Sequence, residues 1–195
     1  MRLQVEAGRM ILDPFSLKAV RELYAVRFHP TVREFMSNPA LIPYRSHVEW
    51  AKANLVGSSD LHLWLVRPNA RSRAIGFTQL KFNSASRDTA EVGIIFRDPD
   101  EHQFSTVVAT GVTLYLAFVQ FRCTWLTSYV MPSHRRAIAY NLTGGGVIVD
   151  SDRPGMIKFE FHRDTATSSD KTYSRVMKRL AGRLTVVDLD ARGVK

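Results

Sequence analysis

The chain has 195 residues, a formal net charge of +9 and 45% hydrophobic residues, enough to bury a core and too many for wholesale disorder. Its one cysteine, Cys123, excludes an internal disulfide and a cysteine-cluster metal site, and the six histidines show no metal-ligand spacing. With no signal-like apolar core at the N-terminus, the sequence reads as one intracellular, cytoplasmic domain.

The elements follow in chain order. Residues 9–12 read as a short strand ended by Asp13-Pro14. Leu17, Val20, Leu23, Tyr24 and Phe28 have helical spacing, and Pro30 opens a second short helix over 31–36. Ser46 with Glu49 predicts a capping box for a helix running through Trp50 to Leu55. Three strands at hairpin spacing follow, over 62–67, 74–82 and 89–96. Ser105 or Thr106 caps a helix predicted to reach about Phe121. A strand of β-branched and aromatic residues then covers 124–130. Residues 107–131 hold a single charge, Arg122, well inside the segment, which argues against a membrane span and for two buried elements. Ser133 starts another helix, the run Gly144-Gly145-Gly146 breaks it, and strands over 147–149 and 156–162 follow. The tail places Tyr173, Val176, Met177 and Leu180 on one helical face, opposite Lys171, Arg175, Lys178 and Arg179. The order β-α-α-α-β-β-β-α-β-α-β-β-α implies one α/β (α+β) domain over 1–165 around a largely antiparallel sheet. Residues 166–195 form a basic helix and tail packed on it or extending from it.

Part of the charge is local. Arg153, Lys158, Arg163, Lys171, Arg175, Lys178, Arg179 and Arg183 stand against Glu160, Asp164 and Asp170. That bias suits an anionic partner or a solvated basic face. Nucleic acid is not expected, since the segment offers charge but no aromatic-interleaved binding motif. Trp64, Trp125 and Tyr129 are read as core residues, and Cys123 as a buried structural thiol.

Four stretches carry a family resemblance. They are Leu12-Asp13 with His29-Pro30-Thr31-Val32-Arg33-Glu34-Phe35-Met36; Ser46-His47-Val48-Glu49-Trp50; Ala74-Ile75-Gly76-Phe77 with Ala90-Glu91-Val92-Gly93-Ile94-Ile95-Phe96; and Val130-Met131-Pro132-Ser133-His134-Arg135-Arg136-Ala137-Ile138 leading into Gly144-Gly145-Gly146-Val147. In order and spacing they resemble the GNAT N-acyltransferase superfamily, particularly its ribosomal-protein N-terminal acetyltransferase branch. The resemblance implies a sheet splayed between its fourth and fifth strands, 89–96 and 124–130. The pantetheine arm of acetyl-CoA would pair there with main chain at Ile94, Ile95 and Phe96. The pyrophosphate would lie over Gln103, Phe104, Ser105 and Thr106 at a helix N-terminus, His134 would contact the pantetheine, and Arg135 and Arg136 would meet the cofactor's 3′-phosphate or else simply solvate their helix. Glu91 is the implied general base, or else an exposed strand residue opposite a basic neighbour. Tyr140 is the implied acid for the departing thiolate, one position and about 100° of helix from the family's usual tyrosine.

The sequence departs from the family pattern at Asp98-Pro99-Asp100-Glu101-His102-Gln103-Phe104-Ser105-Thr106, where glycines would let main chain approach the pyrophosphate and where acids would repel it. The resemblance implies transfer in a ternary complex from acetyl-CoA to a primary amine: a protein N-terminus, a lysine or a small amine. The departures imply an alternative, a GNAT-like scaffold without catalysis that docks an acidic protein partner or builds a homo-oligomer or larger assembly, such as a phage virion or host-takeover component.

Overall fold

The structure, a computed structural model, describes residues 2–36, 38–83, 86–98, 102–168, 172–180 and 182–191. Nine strands form one sheet in the order β7-β8-β6-β5-β4-β3-β2-β1-β9. They are β1 (Leu3–Ala7), β2 (Met10–Pro14), β3 (Leu61–Arg67), β4 (Gly76–Phe82), β5 (Thr89–Phe96), β6 (Trp125–Val130), β7 (Val147–Val149), β8 (Ile157–His162) and β9 (Leu184–Asp188). Every neighbouring pair is antiparallel except β5 and β6. The helices are α1 (Val20–Arg27), α2 (Pro30–Arg33), α3 (Tyr44–Asn54), α4 (Gln103–Tyr115), α5 (Arg135–Thr143), α6 (Arg163–Ala166) and α7 (Thr172–Leu180). This is the mixed, mostly antiparallel sheet flanked by helices that the sequence implies.

Two strands escaped the sequence reading. In β1, Leu3, Val5 and Ala7 are buried and alternate with Gln4 and Glu6, the two-residue period of a half-buried strand. The turn into β2 is made at Gly8, whose φ of 65° suits a residue without Cβ. The tail supplies β9, which pairs with β1 from Leu3↔Asp188 to Ala7↔Leu184, so the chain's end completes one edge of the sheet. Trp64 fastens the same edge by donating its indole N–H to the Leu3 carbonyl at 2.6 Å.

Helix starts fall earlier or later than the capping residues suggested. Helix α3 begins at Tyr44 behind Pro43, so Ser46 lies inside the first turn. Helix α4 begins at Gln103 with His102 as N-cap, and the Thr106 hydroxyl donates back to the His102 carbonyl at 3.0 Å instead of capping. Helix α5 begins at Arg135 behind His134. In each case a proline or histidine with non-helical φ/ψ takes the N-cap position; Ser46 and Thr106 fall inside their helices, while Ser133 lies in the turn before His134.

The sheet is covered on both faces. Leu23 and Val26 of α1 and Ala51 of α3 pack on Leu63, Leu65 and Phe77. A larger core joins Val108, Ala109, Val112, Leu114, Leu116 and Phe118 to Leu80, Val92, Leu126, Phe159 and Phe161. The segment Gln103–Gln120 is long and apolar enough to cross a membrane by composition, and it is the central helix of that core. Helices α4 and α7 touch at Gly111, where an added Cβ would come 2.6 Å from Cγ1 of Val176.

Two consequences are measurable. Gly111→Leu should destabilise the fold by about 2 kcal/mol in urea denaturation through overpacking, and Val176→Ala in the same chain should restore part of it. His47 is fully buried among Tyr24, Phe28 and Trp50, and neither ring nitrogen has a partner. Burial, with the nearby Arg27 charge, pulls its pKa below the ordinary 6.5. The unfolded chain therefore takes up the proton first, so stability is full above pH 6.5 and is lost as pH falls towards the folded value. His47→Phe should flatten the part of that acid slope due to His47 in denaturation curves taken across the range.

Candidate active site

The joint between β5 and β6 is short. Parallel pairing runs through Thr89↔Trp125, Ala90↔Leu126 and Glu91↔Thr127 and then stops, although both strands continue. On its other side β5 pairs with β4 along its whole length. The Thr89 carbonyl accepts from Asn83 N–H, and Arg97 N–H donates to the Ile75 carbonyl. In an antiparallel ladder the residues bonded to one neighbour alternate. This register therefore turns the main-chain groups of Gly93 and Ile95 towards β4 and those of Ile94 and Phe96 towards the gap.

A cavity of about 330 Å³ fills that gap. Its floor is β5 from Glu91 to Phe96 and β6 from Ser128 to Val130; Thr106, Thr110 and Leu114 of α4 close one face of the sheet. Thr31, Val32, Phe35 and Met36 close the other face, and α5 contributes His134, Arg136, Ala137, Tyr140 and Asn141. Apolar walls with exposed main chain along one side suit an extended amide chain.

The structure brings most of the expected residues to this cavity. Glu91, Ile94, Ile95, Phe96, Thr106, His134 and Tyr140 all line it. Ile95 does so with its side chain, since its main chain is committed to β4. Gln103 and Phe104 are exposed in the first turn of α4, Phe104 at 70%, and Ser105 is half-buried beside them. Their N–H groups have no partner within the helix by geometry, which leaves that end open to an anion. Arg135 is exposed and does not line the cavity; its neighbour Arg136 does. Of the acidic loop, Asp98 adopts φ 46° with its carboxylate 3.8 Å from the His29 ring, while Pro99, Asp100 and Glu101 lie outside the described residues.

The His134 ring stacks on Phe35 at 3.9 Å. Burial and the charge of Arg136 lower its pKa from the ordinary 6.5 against the opposing pull of Glu34, so it is neutral at pH 7 and offers one donor and one acceptor.

Sequence reasoning missed the groups that surround Glu91. Arg153, from the loop between β7 and β8, donates Nη1 to Oε1 of Glu91 at 3.0 Å and Nη2 to Oε2 at 2.5 Å. Its guanidinium lies 3.7 Å from the ring centre of Tyr129, whose hydroxyl donates to Asp152 at 2.7 Å. Glu91 is also registered against Lys81 of β4, the basic neighbour of the exposed-strand reading. The only sequence signal for this cluster was the turn around Arg153-Pro154-Gly155. Arg153 opens the basic stretch of the sequence, yet its charge is paired with Glu91; Lys158 is likewise within 3.3 Å of Glu160 and Arg163 within 3.7 Å of Asp164. Two aromatic assignments also change: Trp125 is 45% exposed, and Tyr129 lines the cavity instead of filling the core.

No family profile and no curated protein sequence matches the chain. Solved structures do. An apo nucleotide-linked sugar GNAT, FdhC, superposes with a TM-score of 0.73 at 13% identity, over 95% of this chain and 100% of that one. The chain has the GNAT acetyltransferase fold. A GNAT-family acetyltransferase from Bacillus anthracis gives 0.68 at 11% identity over 83% of this chain and 99% of that one. A spermidine N-acetyltransferase SpeG chimera from Vibrio cholerae and hSSAT gives 0.66 at 12% identity over 81% and 98%. Identities this low establish the shared GNAT architecture and leave the chemistry to the residues in the gap.

Among the described residues no group of three metal-ligating side chains occurs. The buried Cys123 donates its thiol to the Arg87 carbonyl at 3.4 Å, and burial pushes its pKa up to about 11. Native protein should therefore resist a thiol reagent such as Ellman's at pH 8 and release one equivalent only on denaturation; fast native labelling would contradict the placement.

Proposed function

We propose that the protein transfers an acyl group from acyl-CoA, acetyl-CoA in the simplest case, to a primary amine within a ternary complex. The observation that supports this best is the main chain of Ile94 and Phe96 facing a cavity that passes between two parted strands. Acetyl-CoA supplies a thioester whose carbonyl carbon is the electrophile. The residues present fit that donor: the edge at Ile94 and Phe96 pairs with pantetheine amides, and His134 adds a neutral donor and acceptor. The open turn at Gln103, Phe104 and Ser105 takes the pyrophosphate, with Arg136 on the cavity wall close to the chain's path.

The chemistry then needs two proton transfers. Glu91 accepts one proton from the acceptor's ammonium, once Arg153 has moved off its oxygens. As the C–N bond forms and the C–S bond breaks, Tyr140 passes the second amine proton to sulfur. A main-chain N–H at the gap supports the negative charge that develops on the carbonyl oxygen. The bidentate hold of Arg153 on Glu91 favours one competing reading, a GNAT scaffold that binds partners without catalysis.

Isothermal titration decides between them at the first step. Acetyl-CoA should bind one to one, and absence of heat at millimolar ligand would remove the acyltransferase reading. Tyr140→Phe should lower kcat by roughly 10²-fold, the ordinary scale of a lost general acid, with acetyl-CoA affinity unchanged. Unchanged turnover would take the acid role from Tyr140.

A further inference from the structure

The wall of the cavity carries an ion pair that an acceptor amine bound at Glu91 has to meet. Glu91 and Arg153 face one another through two parallel N–H···O bonds, with side chains 18% and 45% exposed. The Tyr129 ring under the guanidinium holds its plane in position, and the hydrogen bond to Asp152 holds the ring. Such a clamp constrains which amines can reach Glu91.

A purely cationic acceptor can pair with Glu91 only by displacing Arg153. The displaced guanidinium would find Asp152 already accepting from Tyr129 and 3.8 Å from Lys158. One ion pair is then exchanged for another, and the guanidinium is left to water and to the remaining oxygen of a carboxylate that is already engaged. An acceptor that carries a carboxylate near its ammonium breaks one pair and makes two. Guanidinium and carboxylate match in planar, bidentate geometry, so Arg153 can transfer from Glu91 to such a ligand without leaving Tyr129.

We propose that the acceptor is an aminocarboxylate of amino-acid span, with its ammonium on Glu91 and its carboxylate on Arg153. This deepens the acyltransferase reading and rests on it. The acid and base steps are those given above; Arg153 takes no proton and acts as a specificity-determining residue. An ordinary protein N-terminus, which has an amide where this acceptor has its carboxylate, is disfavoured at the same position.

The test compares each amino acid with its decarboxylated amine, such as phenylalanine with phenethylamine and lysine with cadaverine, by free-thiol release from acetyl-CoA. Wild type should prefer the aminocarboxylate by roughly 10- to 100-fold in kcat/KM, the range expected for hydrogen bonds to a charged group. Arg153→Gln should erase that preference chiefly through KM, while acetyl-CoA binding by calorimetry stays unchanged. A merely structural Arg153 would instead alter both members of each pair alike. Equal use of both members by wild type, or a ratio untouched by Arg153→Gln, overturns the inference and leaves acyl transfer standing. No thiol release with any amine, together with no acetyl-CoA binding, overturns both.

Discussion

Beyond Glu91 and Thr127 the two central strands no longer bond to each other, and the rest of the site follows from that parting. Main-chain N–H and C=O groups inside a protein are normally paired, and each one left without a partner away from water costs about 1–3 kcal/mol. Ile94 and Phe96 hold such groups along the gap, while the other edge of β5 is fixed to β4 through seven register pairs, from Gly76↔Phe96 to Phe82↔Ala90. The strand therefore cannot close the gap by shifting without surrendering that ladder. The helices complete the arrangement: α4 lies across one face with Thr106 and Thr110, and the segment after α1 lies across the other with Thr31, Phe35 and Met36. A ligand that brings its own amides is the natural complement to this edge.

The second organising feature is electrostatic. A net charge of +9 suggests a basic surface, but several of the cations are tied locally to carboxylates. Arg153 is the most informative of these. It sits between the Glu91 carboxylate and the aromatic ring that lines the same wall, so the site carries both signs of charge at one point. On the proposal above, charge at this site would distinguish among amines and not simply attract or repel them.

The sheet was largely legible in the sequence because its central strands have strong apolar or alternating patterns ended by polar turns. The parting strands were located at residues 89–96 and 124–130, close to the observed β5 and β6. The two missed strands are short and contribute to an edge: β1 is five residues with Gln4 and Glu6 in its outward positions, and β9 sits after a helix in a tail read as basic. Capping motifs misled at Ser46 and at Ser105 or Thr106 because a hydroxyl within the first turn of a helix has the same local sequence signature as one that caps it. The Glu91–Arg153 clamp spans 62 positions and depends on a loop, so no local pattern could announce it. Arg136 and Arg135 illustrate a finer limit: neighbouring positions on a helix point about 100° apart, and only packing decides which one faces the cavity.

Amide hydrogen exchange on β5, followed with and without coenzyme A, tests the splayed-strand account at its source. The N–H groups of Ile94 and Phe96 should exchange faster than those of Gly93 and Ile95 in the free protein and slow markedly when the ligand is added, while the Gly93 and Ile95 amides, already bonded to β4, change little. Equal protection of all four in the free protein, or ligand binding that leaves Ile94 and Phe96 untouched, would contradict it.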